Sequence, residues 1–303
     1  MTMLDVEIRT AADHLIEHGY VRLPVVLSES QVARFRRLRE QAVDDWRFAS
    51  GVAERPAFVS GTLEHYPRAV LPVVARPVLL GLAEALMGLM VRLDSVVLAG
   101  AGPVDTGRRG ELVGWHRDRF GCFPNGTYSR PLALICFIYL QPMTAAAGPL
   151  RVLPGSHRDP AALEAEQLVS SLPSEVLIDS HAGEAVVIHH NLLHSGSVNT
   201  SEDERQFLGH VYALTSLRAE DDSFDGPSCR ALRTSARRTG DRRLARLLGD
   251  RRATRCATER GVRAATRSRV GVVEGPGRGS RPQARRRVQQ RRTSAHGSGA
   301  EMS

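Results

Sequence analysis

Two stretches, Gly114-Trp115-His116-Arg117-Asp118 and His194-Ser195-Gly196-Ser197-Val198-Asn199, decide what this chain can form. On an extended segment residues i and i+2 point the same way, so His116 and Asp118 can reach one metal ion. A third ligand must come from another strand, and His194 follows a short apolar run that is typical of a buried strand. Two imidazoles and one carboxylate are the ligand set of a facial site for non-haem iron(II), although zinc, nickel and cobalt are not excluded.

Arg205 adds a second element to this pattern. It lies eleven residues after His194 and begins the apolar run 206–212, which predicts another strand entering the core. A guanidinium carried into an apolar interior is costly unless it meets an anion, and its planar fork fits a carboxylate through two parallel hydrogen bonds. The far carboxylate of 2-oxoglutarate is one anion that would satisfy this arginine.

With these residues in place the chain resembles the phytanoyl-CoA dioxygenase family of iron(II)- and 2-oxoglutarate-dependent oxygenases, over about residues 8 to 215. The resemblance is carried by the segments 18–23 (HGYVRL), 26–28 (VLS), 116–118 (HRD) and 148–158 (GPLRVLPGSHR), and by His194, Asn199 and Arg205. Several motifs in the right order are more specific than any one of them.

The resemblance implies a mainly β fold with flanking helices, a double-stranded β-helix (jelly roll, cupin-like) with the metal inside its mouth. It further implies that His116, Asp118 and His194 are the ligands of Fe(II) and the catalytic centre, and that Arg205 clamps 2-oxoglutarate. We also expect Ser197 to be a cofactor-binding residue. The partners that the resemblance implies are a small-molecule substrate and O2.

Asp118 favours one outcome within this chemistry. Related halogenases replace that acid with a small residue so that chloride can take the vacated position, and the acid is present here. We therefore expect hydroxylation of a C–H bond of a small molecule in bacterial secondary metabolism, such as antibiotic biosynthesis, while desaturation and cyclisation stay open. Two alternatives are a zinc hydrolase with the same ligands, which would not need Arg205, and a catalytically impaired or inactive binding protein of this fold.

Composition agrees with one catalytic domain. The chain has 303 residues, of which 42% are hydrophobic, enough for a large jelly roll with added helices. Its longest apolar run, 132–140, has the length of a strand and is too short for a membrane span, and the first residues lack the pattern of a signal peptide. The four cysteines form no close pair or zinc spacing, so we expect reduced thiols and a cytoplasmic protein. Whether it is a monomer or a dimer stays open.

Charge divides the chain into two parts. Residues 1–217 carry 19 Arg and 24 acidic residues, a net charge of −5, whereas residues 218–303 carry 22 Arg and 9 acidic residues, a net charge of +13. We therefore predict a dioxygenase domain over 1–217 and an Arg-rich, low-complexity tail over 218–303 that is disordered or frame-shifted, with one short helix within 236–258. Binding of nucleic acid is not expected despite this charge, because the tail has almost no aromatic residues for stacking.

Local patterns predict the elements around the site. Ser28-Glu29-Ser30-Gln31 predicts a capped helix start, a second helix is expected over 77–90, and alternation predicts a strand over 91–99. From about residue 91 to 213 short β-rich runs are punctuated by Gly and Pro, as in a sandwich or jelly roll. The segment 119–130 is interpreted as a substrate cover or as a surface loop with aromatic anchors.

Four further histidines are expected to be structural. His189 and His190 are neighbours on a predicted strand, so at most one of them would face the interior. His157 is expected to organise the Pro-Gly-Ser-His turn, and His210 is expected to lie in the core.

Overall fold

Strands occupy the middle of this chain and helices flank them at both ends. In the computed structural model the described residues are 2–103, 114–118, 127–159, 163–164, 166–218, 222–250 and 253. The helices are α1 (Met3–His18), α2 (Glu29–Ser50), α3 (Thr62–His65), α4 (Pro67–Val74), α5 (Pro77–Met87), α6 (Pro227–Thr239) and α7 (Arg242–Leu247). The strands are β1 (Tyr20–Leu23), β2 (Phe58–Val59), β3 (Val91–Ala101), β4 (Ala133–Tyr139), β5 (Leu150–Val152), β6 (Val176–Ile178), β7 (Ala185–His189), β8 (His194–Gly196) and β9 (Arg205–Leu214).

The strands form two antiparallel sheets that share one core. The larger sheet has the order β1-β7-β4-β9-β3-β2, and the smaller has the order β6-β5-β8. An isolated bridge between His116 and His194 adds one more segment beside β8. Apolar side chains of both sheets, among them Ile135 and Leu150, pack into a single cluster between them. This arrangement is the double-stranded β-helix predicted from the sequence.

Strand β4 shows why the run 132–140 is continuously apolar. Its alternate residues Ile135 and Tyr139 point into the cluster between the sheets, whereas Leu134 and Ile138 point into a second cluster shared with the helices. A strand that is covered on both faces has no polar side. The helices therefore lie on the outside of the larger sheet and leave its inner face free to line a site.

The predicted helix starts are confirmed at α2. Ser28 accepts a hydrogen bond from the backbone N–H of Gln31, and the Gln31 side chain accepts one from Ser28 in return, which forms a capping box. The helix predicted over 77–90 is α5, which ends three residues earlier, and the strand predicted over 91–99 is β3, which extends to Ala101.

Among the described residues after 217 there are two α-helices. The predicted short helix within 236–258 is α7, while α6 was not predicted. Cys229, Leu247 and Leu248 from this part are buried in the same cluster as the helices of the first half. The compact unit runs from Met1 to Arg255. The functional boundary at residue 217 and the frame shift stay predictions.

Two observations bear on the predictions about compartment. In the part of the chain that the structure describes, no single helix has the length and hydropathy of a membrane span, although the bent pair α4 and α5 passes that test by length and composition alone. Cys136 and Cys229 are buried thiols that form no disulfide among the described residues, and the other two cysteines lie outside those residues.

Candidate metal centre

The three predicted ligands converge at one point. His116 and His194 sit opposite each other on paired segments, joined by two backbone hydrogen bonds of 3.0 Å, and their ring centroids are 4.2 Å apart. The carboxylate oxygens of Asp118 each lie 3.6 Å from the Nε2 atom of one of these histidines. One ligand atom from each residue can be chosen so that all three lie within 4.8 Å of one another, a spacing that suits a single metal ion.

Both histidines are oriented by the backbone. The Nδ1 atom of His116 donates to the carbonyl oxygen of Gly114 at 2.8 Å, and that of His194 donates to the carbonyl oxygen of Leu192 at 3.0 Å. Each imidazole therefore presents the lone pair of Nε2 toward Asp118, as a metal ligand requires. Burial lowers the pKa of His194, although the charge of Asp118 opposes this, so the ring is held in the neutral form that binds metals.

Arg117, between the two ligands of the first stretch, points the other way. Its Nε atom donates to the carbonyl oxygen of Asn191 at 3.0 Å and its Nη2 atom donates to that of Asp159 at 2.8 Å. This confirms the alternation predicted for residues 116 to 118. Arg117 ties the segment 114–118 to the loop that carries the Pro-Gly-Ser-His turn.

The triad opens into a cavity between the two sheets. The cavity has a volume of about 330 Å³, and Arg205 lines it together with the triad. Among the described residues that line it, Asp118 is the sole carboxylate and Arg205 the sole guanidinium. The remaining wall is mostly apolar and includes Val97, Ala99, Ile135, Phe137, Tyr139, Leu150, Phe207 and Val211.

Arg205 is held by backbone oxygens rather than by a carboxylate. Its Nη1 atom donates to the carbonyl oxygens of Gly148 and Ser197, the latter at 3.1 Å. The Nε atom of Arg205 and the hydroxyl oxygen of Ser197 are both buried, and neither has a hydrogen-bond partner among the described residues. The site thus contains polar atoms that a bound diacid could satisfy, and the cofactor roles of both residues stay predictions.

Asn199 has a structural role beside this arginine. Its side-chain nitrogen donates to the carbonyl oxygens of Ala101 and Asp203, at 3.1 and 2.7 Å. Its side-chain oxygen accepts from the backbone and hydroxyl of Ser201. Asn199 therefore shapes the loop that leads from β8 to the start of β9, where Arg205 stands.

The other histidines are buried, as expected, with two differences. His157 contacts the carbonyl oxygen of Ile16 and organises its turn. His210 is buried, which lowers its pKa to about 3, but it also lines the cavity beside the triad and so is not only a core residue. His189 and His190 do not point to opposite faces, since their rings stack at a centroid distance of 4.5 Å. Side chains alternate between faces only within a strand, and β7 ends at His189, so His190 is not bound by that alternation.

Sequence reasoning did not single out the aromatic wall of the cavity. The ring of Phe207 on β9 lies 5.4 Å from that of Phe137 and 5.8 Å from that of Tyr139, and Phe58 is 6.5 Å away on the other side. The alternation of side chains along β4 and β9 could have predicted this wall, because residues that point inward on paired strands lie side by side.

The segment 119–130 was interpreted as a substrate cover. Residues 119–126 lie outside the described residues, so that interpretation stays a prediction. At the described end of the segment, the Tyr128 ring lies 5.2 Å from that of His190, which directly follows β7.

Comparison with known proteins bears on the family of this chain. The family model of phytanoyl-CoA dioxygenase (PhyH) matches residues 15–207. L-proline trans-4-hydroxylase from Streptomyces griseoviridis is 26% identical over 239 residues, which cover 69% of this chain and 86% of that enzyme.

Solved structures show the same fold. The epimerase SnoN, in complex with Fe3+, alpha-ketoglutarate and nogalamycin RO, is 20% identical with a TM-score of 0.54 and covers 74% of this chain and 91% of its own. EctD from S. alaskensis with bound Fe is 22% identical with a TM-score of 0.57, and the match covers 70% of this chain and 78% of EctD. At these identities the likeness concerns the jelly roll itself.

Proposed function

This chain belongs to the phytanoyl-CoA dioxygenase family, and from that premise we propose that it hydroxylates a C–H bond of a small molecule. As a member, it is a non-haem iron dioxygenase that uses 2-oxoglutarate. The proposal concerns the residues that carry this activity and the kind of compound it acts on.

One observation supports the assignment of the site. Two imidazole Nε2 atoms and the Asp118 carboxylate converge at the mouth of a cavity that Arg205 also lines. Two histidines and one carboxylate on one side of a metal are the donor set of iron(II) oxygenases, and they leave coordination positions open for other ligands. The triad is therefore assigned as the iron site, and the buried, unpartnered polar atoms of Arg205 and Ser197 as the site of the distal 2-oxoglutarate carboxylate.

In this assignment the protein binds and orients while the cofactors supply the oxidation. Iron(II) with 2-oxoglutarate, when bound, activates O2 and couples loss of CO2 from the oxo acid to oxidation of a C–H bond. The carbonyl oxygens of Gly114 and Leu192 hold the two imidazoles in their ligating orientation. Arg205 fixes the far end of the diacid, and the apolar wall excludes water and positions the target carbon.

The cavity favours a small substrate. A volume of about 330 Å³ is at the low end for small-molecule sites, and 2-oxoglutarate must share it. A small intermediate of bacterial secondary metabolism fits such a site better than a fatty acyl thioester. The hydroxylase reported above is named for L-proline, which supports a substrate of that size.

The experiment is a screen for substrate-dependent succinate. Anaerobically iron-loaded protein is given 2-oxoglutarate, O2 and a panel of small natural products, and His116→Ala serves as the blank. We expect one metal ion per chain, 2-oxoglutarate binding that needs the metal, and succinate with a product 16 mass units heavier than its substrate. Water-dependent hydrolysis without succinate would instead indicate a zinc-type hydrolase, and absence of iron binding would indicate an inactive fold member.

A further inference from the structure

A buried arginine outside the cavity pairs with the residue that precedes Arg205. Arg39 belongs to α2 and is 0% exposed. Its Nη1 atom donates to the carbonyl oxygen of Leu98 on β3 at 3.2 Å, and its Nη2 atom donates to that of Pro56 at 2.5 Å. Its third partner is the Glu204 carboxylate at 3.3 Å. One guanidinium thus joins a helix, a strand and the residue that precedes Arg205.

Glu204 is the centre of a larger network. Arg55 donates to both of its oxygens at 2.8 and 2.6 Å, and Gln206 donates to it at 2.8 Å. Arg55 also forms a two-bond pair with Glu40 of α2, at 2.8 and 2.6 Å. Burial alone would raise the pKa of Glu204, but these hydrogen bonds and the nearby charges lower it to about 2, so the group is fully ionised at neutral pH.

The network and Arg205 lie on opposite faces of the chain at residues 204–206. Glu204 and Gln206 both turn toward the network, and side chains alternate between the two faces of an extended segment. Arg205, between them, is therefore directed to the opposite face, into the cavity. Gly100 is also required here, because a Cβ atom at that position would overlap the Glu204 carboxylate.

A buried ion pair contributes little net stability but can specify one arrangement of the chain. We propose that the Arg39–Glu204 pair is a positioning device for Arg205, which holds the first residue of β9 in the orientation that receives the distal carboxylate of 2-oxoglutarate. This inference rests on the proposed function of Arg205. It assigns to Arg39 and Glu204 no contact with substrate or metal; both act through the strand that they anchor.

The test measures binding of two ligands that differ at one end. Calorimetric titration of manganese(II)-loaded protein with 2-oxoglutarate is compared with titration with 2-oxovalerate, in which a methyl group replaces the distal carboxylate. The variants are Glu204→Gln, which keeps the size of the side chain, and Arg39→Lys, which keeps the charge but cannot span three acceptors. Asp94→Asn is the matched control, since Asp94 pairs with Arg92 in a buried ion pair near the other end of β3.

We expect Glu204→Gln and Arg39→Lys to weaken 2-oxoglutarate about tenfold or more, the range typical of residues that orient ligating groups. Affinity for 2-oxovalerate should change less than about twofold, and Asp94→Asn should leave the ratio of the two affinities as in the parent protein.

Equal weakening of both ligands, or unchanged binding of 2-oxoglutarate, would overturn the inference while the proposed function stands. A parent protein that binds manganese but does not prefer 2-oxoglutarate over 2-oxovalerate would remove the assigned role of Arg205 and this inference with it. Unfolding curves of each variant separate loss of binding from loss of structure.

Discussion

Arg205 carries a half-buried positive charge that no carboxylate among the described residues neutralises. Its described partners are the carbonyl oxygens of Gly148 and Ser197, and its Nε atom has none. A partly desolvated guanidinium of this kind is stabilised when an anionic ligand binds, because hydrogen bonds between charged groups are stronger than those between neutral ones. The charge is therefore better explained by ligand binding than by folding.

From this follows a prediction for Arg205→Gln. Loss of a charged hydrogen bond costs about 1.5–3 kcal/mol, so the affinity for 2-oxoglutarate should fall roughly 10- to 150-fold. Binding of manganese(II) should be unchanged, because the triad is intact. Titration calorimetry measures both quantities, and an equal loss of metal affinity would show that the arginine supports the whole site.

Glu204 makes stability depend on pH. Its pKa in the folded protein is about 2, below the ordinary value of 4.5. A carboxylate with a depressed pKa contributes stability above its unfolded pKa, and this contribution is lost as pH falls through the folded value. The free energy of unfolding should therefore decrease between about pH 4.5 and pH 2 more steeply in the parent protein than in Glu204→Gln.

Urea denaturation at several pH values across this window measures the difference between the two proteins. Other carboxylates titrate in the same range. Subtracting the free energy of unfolding of the variant from that of the parent at each pH removes the contribution that the two proteins share. Parallel curves for parent and variant would show that Glu204 is not held by its ion pairs.

At the scale of elements, the turn before β5 is built around Gly148. Its φ angle is +73°, and a Cβ atom there would lie 2.7 Å from the carbonyl oxygen of Ser197. The same turn supplies the carbonyl oxygen that accepts from Arg205. Gly148 thus sets the backbone conformation of the turn, contacts the loop after β8 and helps to orient Arg205.

Gly148→Ala should destabilise the fold and weaken 2-oxoglutarate binding together. The left-handed conformation alone costs about 1 kcal/mol or more for alanine, and the clash adds to it. Gly240→Ala is a matched control, because Gly240 has a φ angle of +75° and no atom within 4 Å of its Cβ position. Thermal unfolding and 2-oxoglutarate titration should separate the variants, and equal effects would mean that the clash is relieved without cost.

At the scale of the whole molecule, the helices after residue 217 complete a buried surface. The Glu64 carboxylate of α3 accepts hydrogen bonds from the backbone of Ser228 and Cys229 at 2.7 and 2.9 Å, at the start of α6. Leu247 and Leu248 are 0% and 3% exposed within the cluster that also contains α4 and α5. These contacts lie on the outer face of the larger sheet, away from the cavity.

A chain that ends at Leu217 should therefore be less stable than one that ends at Arg255. Each buried leucine contributes about 1.5–3 kcal/mol, which corresponds to a melting temperature lower by about 10 °C for the shorter chain. Differential scanning calorimetry measures this shift. If both chains melt together, α6 and α7 add nothing to the fold, in agreement with the predicted boundary at residue 217.

The sequence alone was sufficient for the fold class and for the three candidate ligands that the structure brings together. Two-residue periodicity, apolar runs of strand length and a set of motifs in order predict the jelly roll, and i, i+2 spacing predicts that His116 and Asp118 share a face. These are local properties of the chain. The Arg39 network was missed, although its signal is present: Arg39 occupies the same helical face as the buried residues Val32, Phe35 and Val43.

Only the tertiary structure shows how the separate segments of the site come together. Three features join residues that are far apart in sequence. They are the bridge between His116 and His194, the cavity between the sheets and the pairing of Arg39 with Glu204. Such contacts depend on which strands become neighbours, and no local pattern encodes that order. The sequence by itself determined which groups this protein offers a metal and a diacid, whereas the packing of the two sheets and their helices determined that these groups meet, because only folding brings distant segments within bonding distance.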